Sequence, residues 1–167
     1  WALRNTMRYS SIEFDGKTVF GGGLQEDLRS LNRFGFGNTF ELKIFTMDTN
    51  AYAHFDSGSV EHSLLFGVDY STSESKIVSG FSFAAPLDVF APVYGSSVPD
   101  LFIYGNVNQP IDQLGIYVQD QMKFASRWIA TLALRQDSTD ITTDNRLSDS
   151  QVDQSDSALT GRVALTY

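Results

Sequence analysis

The sequence predicts an all-β protein, a segment of a transmembrane antiparallel β-barrel with about six strands. The first observation is the alternation of apolar and polar residues in Val60–Tyr70, which is typical of a strand with one apolar and one polar face. The same alternation returns in other segments along the chain. The second observation is that these segments are joined alternately by short turns and long polar stretches, as in outer-membrane barrels.

Six strands are predicted, and each has an apolar and a polar register. They lie at 1–14, 32–55, 60–70, 113–124, 128–137 and 159–167. Trp1 opens the first strand and is expected at a membrane interface. The second segment is too long for one crossing, so its first half is expected to project beyond the bilayer. In the third strand, Leu64, Phe66, Val68 and Tyr70 are predicted toward lipid, and Ser63, Gly67 and Asp69 toward the lumen.

The connections are predicted to alternate in length. Short turns are expected at 56–59 and 125–127, and long loops at 15–30, 72–110 and 138–156. The 72–110 stretch contains all four prolines and many aromatic residues. Long loops of this kind are usually functional or disordered, and the aromatic content argues against disorder.

Composition narrows the classes of function. The chain has 167 residues, a net charge of −8 and no cysteine. The negative charge argues against a nucleic-acid partner, which requires a basic surface. Without cysteine there is no disulfide, no thiolate metal site and no cysteine nucleophile. The chain has no run of about 18 apolar residues, so no transmembrane helix is predicted. A membrane-spanning strand needs only about 9–11 residues.

Three stretches carry a family resemblance. They are Val60-Glu-His-Ser-Leu-Leu-Phe-Gly-Val-Asp-Tyr70, Leu114-Gly-Ile-Tyr-Val-Gln-Asp-Gln121 and Arg127-Trp-Ile-Ala-Thr-Leu-Ala-Leu-Arg-Gln-Asp137. In this order they resemble TonB-dependent siderophore receptors of the ferrichrome and ferric hydroxamate type. Pro92-Val-Tyr94 resembles a loop element of that family, and 157–167 resembles its next strand.

The resemblance implies a receptor in the bacterial outer membrane that takes up a ferric siderophore and has no enzymatic activity. It implies outer-membrane lipid and TonB as partners, with TonB acting through a plug domain and coupling box that these residues do not supply. It also implies a barrel of about 22 strands. Residues 1–167 are therefore expected to be one barrel portion without a plug, an excerpt from a longer protein, because lipid does not tolerate unpaired strand edges.

Two sets of residues are candidates for function. Aromatic side chains of the 72–110 loop are candidate contacts for the ferric siderophore, with packing inside the loop as the alternative. They are Phe81, Phe83, Phe90, Tyr94, Phe102 and Tyr104. A second set, together with Asp120 and Glu61, is expected to line the lumen or contact the plug. Its members are Tyr117, Gln119, Arg135, Asp137 and Arg162.

No catalytic, metal or cofactor site is predicted, and iron is expected only within the siderophore. The aspartates of 137–156 fit a solvated, flexible loop better than a calcium site, because an EF-hand spacing is missing. His54 and His62 flank the 56–59 turn, and no carboxylate or thiol cluster completes a metal site there.

Three alternatives remain open at this stage. One is a small closed barrel that acts as a passive pore or structural anchor. Another is a soluble β-sandwich or lipocalin-like binding protein, in which the apolar registers point into a core. The third is an outer-membrane hydrolase with serine and histidine in the lumen, although the chain has no G-x-S-x-G motif.

Overall fold

The computed structural model describes residues 1–125 and 127–167 as one antiparallel sheet. Its strands are β1 (Ala2–Leu24), β2 (Ser30–Ser57), β3 (Val60–Asp88), β4 (Phe102–Phe124), β5 (Trp128–Asn145) and β6 (Ser150–Thr166). They lie side by side in chain order, so every strand pairs with its sequence neighbour. The described residues contain no helix capable of crossing a membrane. The all-β prediction and the six strands are confirmed.

The two ends of the sheet differ in their connections. At the tight-turn end, residues 58–59 join β2 to β3, and Gly58 has a φ of 65° that suits glycine. The short turn predicted at 56–59 is thus confirmed. The turn predicted at 125–127 joins β4 to β5 at the same end, and its residue 126 lies outside the described residues.

The opposite end, called the far end, corrects the predicted loops. Strand β1 continues to Leu24, β3 to Asp88 and β5 to Asn145, so the connections shrink to 25–29, 89–101 and 146–149. The loops expected at 15–30, 72–110 and 138–156 are therefore wrong over most of their length. The aspartates expected in a flexible loop lie mostly on paired strands instead, where Asp140 and Asp153 accept hydrogen bonds across the β5–β6 pair.

The far-end parts of the strands were not predicted from the sequence, because both of their faces carry polar residues. Outside a membrane neither face must be apolar, so the alternating signal disappears while the backbone ladder continues. The prolines of 72–110 also favoured the prediction of a loop there. Pro86 lies in a register irregularity of β3, and Pro110 lies at a gap in the β4–β5 pairing, both positions where a missing N–H costs little.

Cross-strand register fixes two faces. The outer face is the one that carries Leu64, Phe66 and Val68, and the inner face is the one that carries Gly67 and Asp69. Toward the tight-turn end the outer face is an apolar band on every strand. Its members include Leu3, Met7, Met47, Ala51, Leu64, Phe66, Ile116, Val118, Leu132, Leu134, Val163 and Leu165. The alternation predicted for the third strand is confirmed.

No apolar side chain among the described residues is buried. In the outer band, Phe66 is 48% exposed, Leu134 55% and Val163 80%. A soluble β-sandwich would bury these side chains in a core, so that alternative fails. An apolar band that meets lipid is instead the outer surface of a membrane barrel. The outer edges of β1 and β6 carry no partner strand within the described residues.

Candidate functional site

The centre of the inner face holds a network around Arg135 of β5. Its guanidinium donates to Asp69 of β3 at 2.7 and 3.1 Å, and to Asp137 of its own strand at 2.8 Å. Charge-assisted and two-pronged bonds of this kind fix both distance and orientation. One arginine therefore ties β3 to β5 across the intervening β4.

Tyr117 of β4 extends the network toward β2. Its hydroxyl donates to Asp48 at 3.3 Å, and the Arg135 guanidinium carbon lies 5.7 Å from the centre of its ring. That distance is within the range of a cation–π interaction. Side chains from four consecutive strands thus form one connected polar network, called the inner network here: Asp48, Asp69, Tyr117, Arg135 and Asp137.

Two buried glycines create the space for this network. A Cβ on Gly67 would overlap the Tyr117 ring, and a Cβ on Gly115 would overlap the Arg135 guanidinium. Tyr117 lies over Gly67, which faces it in register, whereas Arg135 faces Tyr117 in register and reaches diagonally over Gly115. The spacing of two between Gly67 and Asp69 in β3, and between Gly115 and Tyr117 in β4, permits this interlocking.

The predicted lumen residues lie on the inner face with one exception. Tyr117, Gln119, Arg135, Asp137 and Arg162 share that face by register, and Glu61 does as well. Asp120 is the correction: it lies on the outer face between Leu64 and Leu132. Sequence reasoning did not include Asp48 or Gly115 in the site, because their roles arise only from cross-strand contacts.

The misassigned Asp120 has a local explanation on the outer face. His62 Nδ1 lies 2.7 Å from Asp120 Oδ2, and the Phe55 ring stacks on His62 with centroids 4.8 Å apart. An acid that faces lipid is costly unless it is paired. This pairing explains how Asp120 is tolerated there. No cluster of three or more metal-ligating side chains occurs among residues 1–125 and 127–167.

Toward the far end, the inner face carries an aromatic cluster instead of charges. Its rings join in a chain of contacts: Phe20 to Phe36 at 5.1 Å, Phe34 to Phe83 at 5.7 Å, and Phe81 to Phe83 at 5.2 Å. These separations are those of favourable aromatic pairs. The aromatic cluster consists of Phe20, Phe34, Phe36, Phe81, Phe83, Phe102 and Tyr104.

Four of the six predicted aromatic residues belong to this cluster, but they do not lie in a loop. Phe81 and Phe83 are in β3, and Phe102 and Tyr104 are in β4. The other two, Phe90 and Tyr94, lie in the 89–101 connection and stay outside the cluster's ring contacts. Phe20, Phe34 and Phe36 were missed. The spacing of two between Phe34 and Phe36 in β2 was the available signal, but Gly35 and Gly37 obscured it, and Phe20 lies in β1.

Charges in this half of the sheet are sorted by face. Between the inner network and the aromatic cluster, the inner positions of β1 to β4 carry uncharged side chains or glycine, apart from Arg8 of β1, which faces Thr46 of β2. The other charged residues of the same stretch lie on the outer face: Glu13, Asp15, Lys17, Arg33, Glu41, Lys43, Glu74, Lys76 and Asp112. Beyond Arg8, toward the far end, the inner face of β1 to β4 is an uncharged wall.

The whole chain matches a family model. Residues 1–167 fit the model described as "TonB dependent receptor-like, beta-barrel". The chain is 29% identical over 167 residues to the ferrioxamine B receptor of Salmonella typhimurium, covering all of this chain and 24% of the relative. It is 28% identical to the ferrichrome outer membrane transporter and phage receptor of Escherichia coli K12, covering 76% of this chain and 18% of the relative.

A solved structure agrees on the fold. The ferric-catecholate import receptor Fiu of E. coli K12 superposes with a TM-score of 0.65 at 18% identity, covering 98% of this chain and 27% of that one. The chain thus spans about a quarter of the length of the relatives that it matches along its whole length. The family match over every residue identifies the chain as a member of the TonB-dependent receptor β-barrel family of the bacterial outer membrane.

Proposed function

We propose that this chain forms part of the barrel wall of a receptor that takes up a ferric siderophore in a TonB-dependent manner. The observation that carries the proposal is the aromatic cluster on the inner face, above a network that spans four strands. Exposed aromatic side chains on a concave wall are typical of small-molecule sites. Phe83 and Phe102 are 69% and 68% exposed, so their rings are accessible to a ligand.

The uncharged wall favours one class of siderophore. Anionic ferric catecholates or carboxylates call for arginine or lysine, which pair with anionic oxygens. The inner positions beside the aromatic cluster carry none in β1 to β4, and Arg8 of β1 lies farther toward the tight turns, where it faces Thr46 next to the inner network. A ferric hydroxamate complex without anionic arms fits this wall better, and the named ferrioxamine receptors among the relatives are in line with it.

The inner network has a supporting role in this proposal. It lines the lumen and holds β2 to β5 in register, and with Gln119 and Arg162 it supplies the polar surface against a plug domain. TonB is the proposed partner through that plug. The barrel wall carries out no covalent chemistry, and it requires no cofactor beyond the iron that the siderophore brings.

The orientation is part of the proposal. The far end, with the aromatic cluster, is placed outside the cell, and the turns at 58–59 and 125–127 are placed in the periplasm. Short periplasmic turns and longer extracellular segments are the usual arrangement of outer-membrane barrels.

Growth on iron bound to a siderophore tests the function. A strain that lacks its own hydroxamate receptors would express the full-length protein in iron-limited medium. We expect growth on ferric ferrioxamine B when TonB is present and no growth when TonB is deleted. Growth that is independent of TonB would indicate a passive pore, and growth only on a ferric catecholate would overturn the proposed ligand class.

A further inference from the structure

The 89–101 connection is held against the outer face by its second half. Val98 and Leu101 lie over a groove where β2 and β3 have glycine or serine: Gly35, Gly37, Gly80 and Ser82. A Cβ on Gly35 would come within 2.6 Å of Val98 Cγ1, and one on Gly80 within 2.8 Å of Leu101 Cβ. All four groove residues are buried, although the sheet has almost no other buried residues.

The groove lies on the opposite face from the aromatic cluster. Gly35 and Gly37 alternate with Phe34 and Phe36 along β2, so their open sides point outward while the rings point inward. Residues 98–101 therefore cross the outside of the sheet. The aromatic cluster is left uncovered by this connection, in agreement with the exposure of Phe83 and Phe102.

The beginning of the connection has a polar anchor. Asp88 accepts hydrogen bonds from the backbone N–H of Phe90 at 2.9 Å and of Ala91 at 3.1 Å, and its other oxygen pairs with Arg29 at 2.6 Å. Because the Arg29 guanidinium and these amides stabilise the charged form, the pKa of Asp88 lies below its usual value. This end of the connection is therefore bonded to the 25–29 turn.

The second half has a different kind of attachment. Residues 92–101 are not part of any strand or turn, and their backbone groups make no backbone hydrogen bonds to the described strands. Gly95 lies between the two attachments with a φ of 87° and no atom near its open side. Segments that are held by few apolar contacts open at low free-energy cost.

We propose that Val98 and Leu101 form a latch in the groove of Gly35, Gly37, Gly80 and Ser82. The seated latch holds the 89–101 connection on the outer face and keeps it off the aromatic wall. Release needs only the loss of van der Waals contacts, with Asp88 as the fixed base and Gly95 as the pivot. The glycines are required because any side chain at positions 35, 37 or 80 would occupy the space of the latch.

A cysteine pair tests the seat directly. Residues 1–167 contain no cysteine. Gly35→Cys combined with Val98→Cys would therefore supply the only two cysteines within these residues. Val98 Cγ1 occupies the place that the new sulfur would take, and disulfides need such close Cβ positions. We expect this pair to lose thiol labelling on mild oxidation. The control pair, Gly23→Cys with Val98→Cys, should keep its labelling, since Gly23 has no atom within 4 Å of its open side.

Proteolysis tests the consequence. Gly37→Leu fills the space of Leu101, so chymotrypsin should cleave after Phe90 and Tyr94 about tenfold faster than in the parent protein. Gly23→Leu, which meets open space, should leave the rate unchanged. Equal cleavage of both variants, free thiols in the 35–98 pair, or cross-linking of both cysteine pairs would overturn the latch. If Gly37→Leu fails to assemble, the cysteine pairs alone decide.

Discussion

At the residue scale, the inner network depends on the absence of side chains at two glycines. Gly67 and Gly115 look like ordinary strand weaknesses in the sequence, since glycine lowers strand stability. Their role becomes clear only once β3, β4 and β5 are aligned, because then Tyr117 and Arg135 lie across them. Alternation could predict that Arg135 and Tyr117 point inward, but not which partner each would contact.

A glycine-to-alanine pair tests this interlocking. Gly115→Ala would force Arg135 away from Asp69, and overpacking of this kind costs about 1–3 kcal/mol. The matched control is Gly105→Ala, whose Cβ would meet Ser79 Cβ at an ordinary 3.5 Å. Heat-modifiable gel migration of the folded barrel measures the effect. We expect a lower transition temperature for Gly115→Ala only, and equal temperatures would contradict the interlocking.

The ion pair itself has a separate test. Arg135→Gln leaves Asp69 and Asp137 without their shared cation, whereas Arg135→Gln combined with Asp69→Asn removes one of the two negative charges. The double variant should therefore be less destabilised than the sum of the two single variants, with a coupling of about 0.5–3 kcal/mol. Unfolding by urea in detergent or lipid measures the cycle. Simple additivity would show that Arg135 and Asp69 do not interact.

At the element scale, strand length was the feature that the sequence revealed least. The apolar register predicted the membrane-crossing parts of β2 to β5 because lipid requires one apolar face. Beyond the band, Glu41, Lys43, Glu74 and Lys76 take the outer face, and no rule of alternation marks the strands. The tight turn at 58–59 was predictable because Gly58 and its neighbours have clear turn chemistry.

Labelling from outside the cell tests which end of the strands is extracellular. Ser148→Cys is in the 146–149 turn at the far end, and Ser59→Cys is in the tight turn 58–59. A membrane-impermeant maleimide added to intact cells should react with Ser148→Cys and leave Ser59→Cys unlabelled. Disruption of the outer membrane should make both reactive. The reverse pattern on intact cells would invert the proposed orientation.

At the scale of the whole molecule, the described residues form a single sheet without a hydrophobic core. None of the described apolar residues is buried, so a hydrophobic interior cannot hold this sheet together. Backbone pairing between neighbouring strands and lipid around the outer band take that role. The sequence motifs placed the chain in its family, but the sorting of charge and aromatic residues between faces emerged only from strand register.

The sorting divides the inner wall into two zones of different chemistry. Nearer the tight turns, the inner network joins β2 to β5 by charge and hydrogen bonds. Nearer the far end, the aromatic cluster offers rings without charge. The proposed latch between Leu101 and Gly37 lies on the other face, so a change there is separable from a change in the proposed ligand wall.

Binding of ferric ferrioxamine B to the purified full-length protein tests the central claim most directly. The double variant Phe36→Ala with Phe81→Ala removes two rings of the aromatic cluster that are 6.2 Å apart, and the control Phe45→Ala removes a ring from the outer face. We predict a dissociation constant at least about tenfold higher for the double variant, because a few aromatic contacts dominate such sites, and an unchanged constant for the control. Equal affinity in the parent and the double variant would contradict the assignment of the aromatic cluster as the ligand wall.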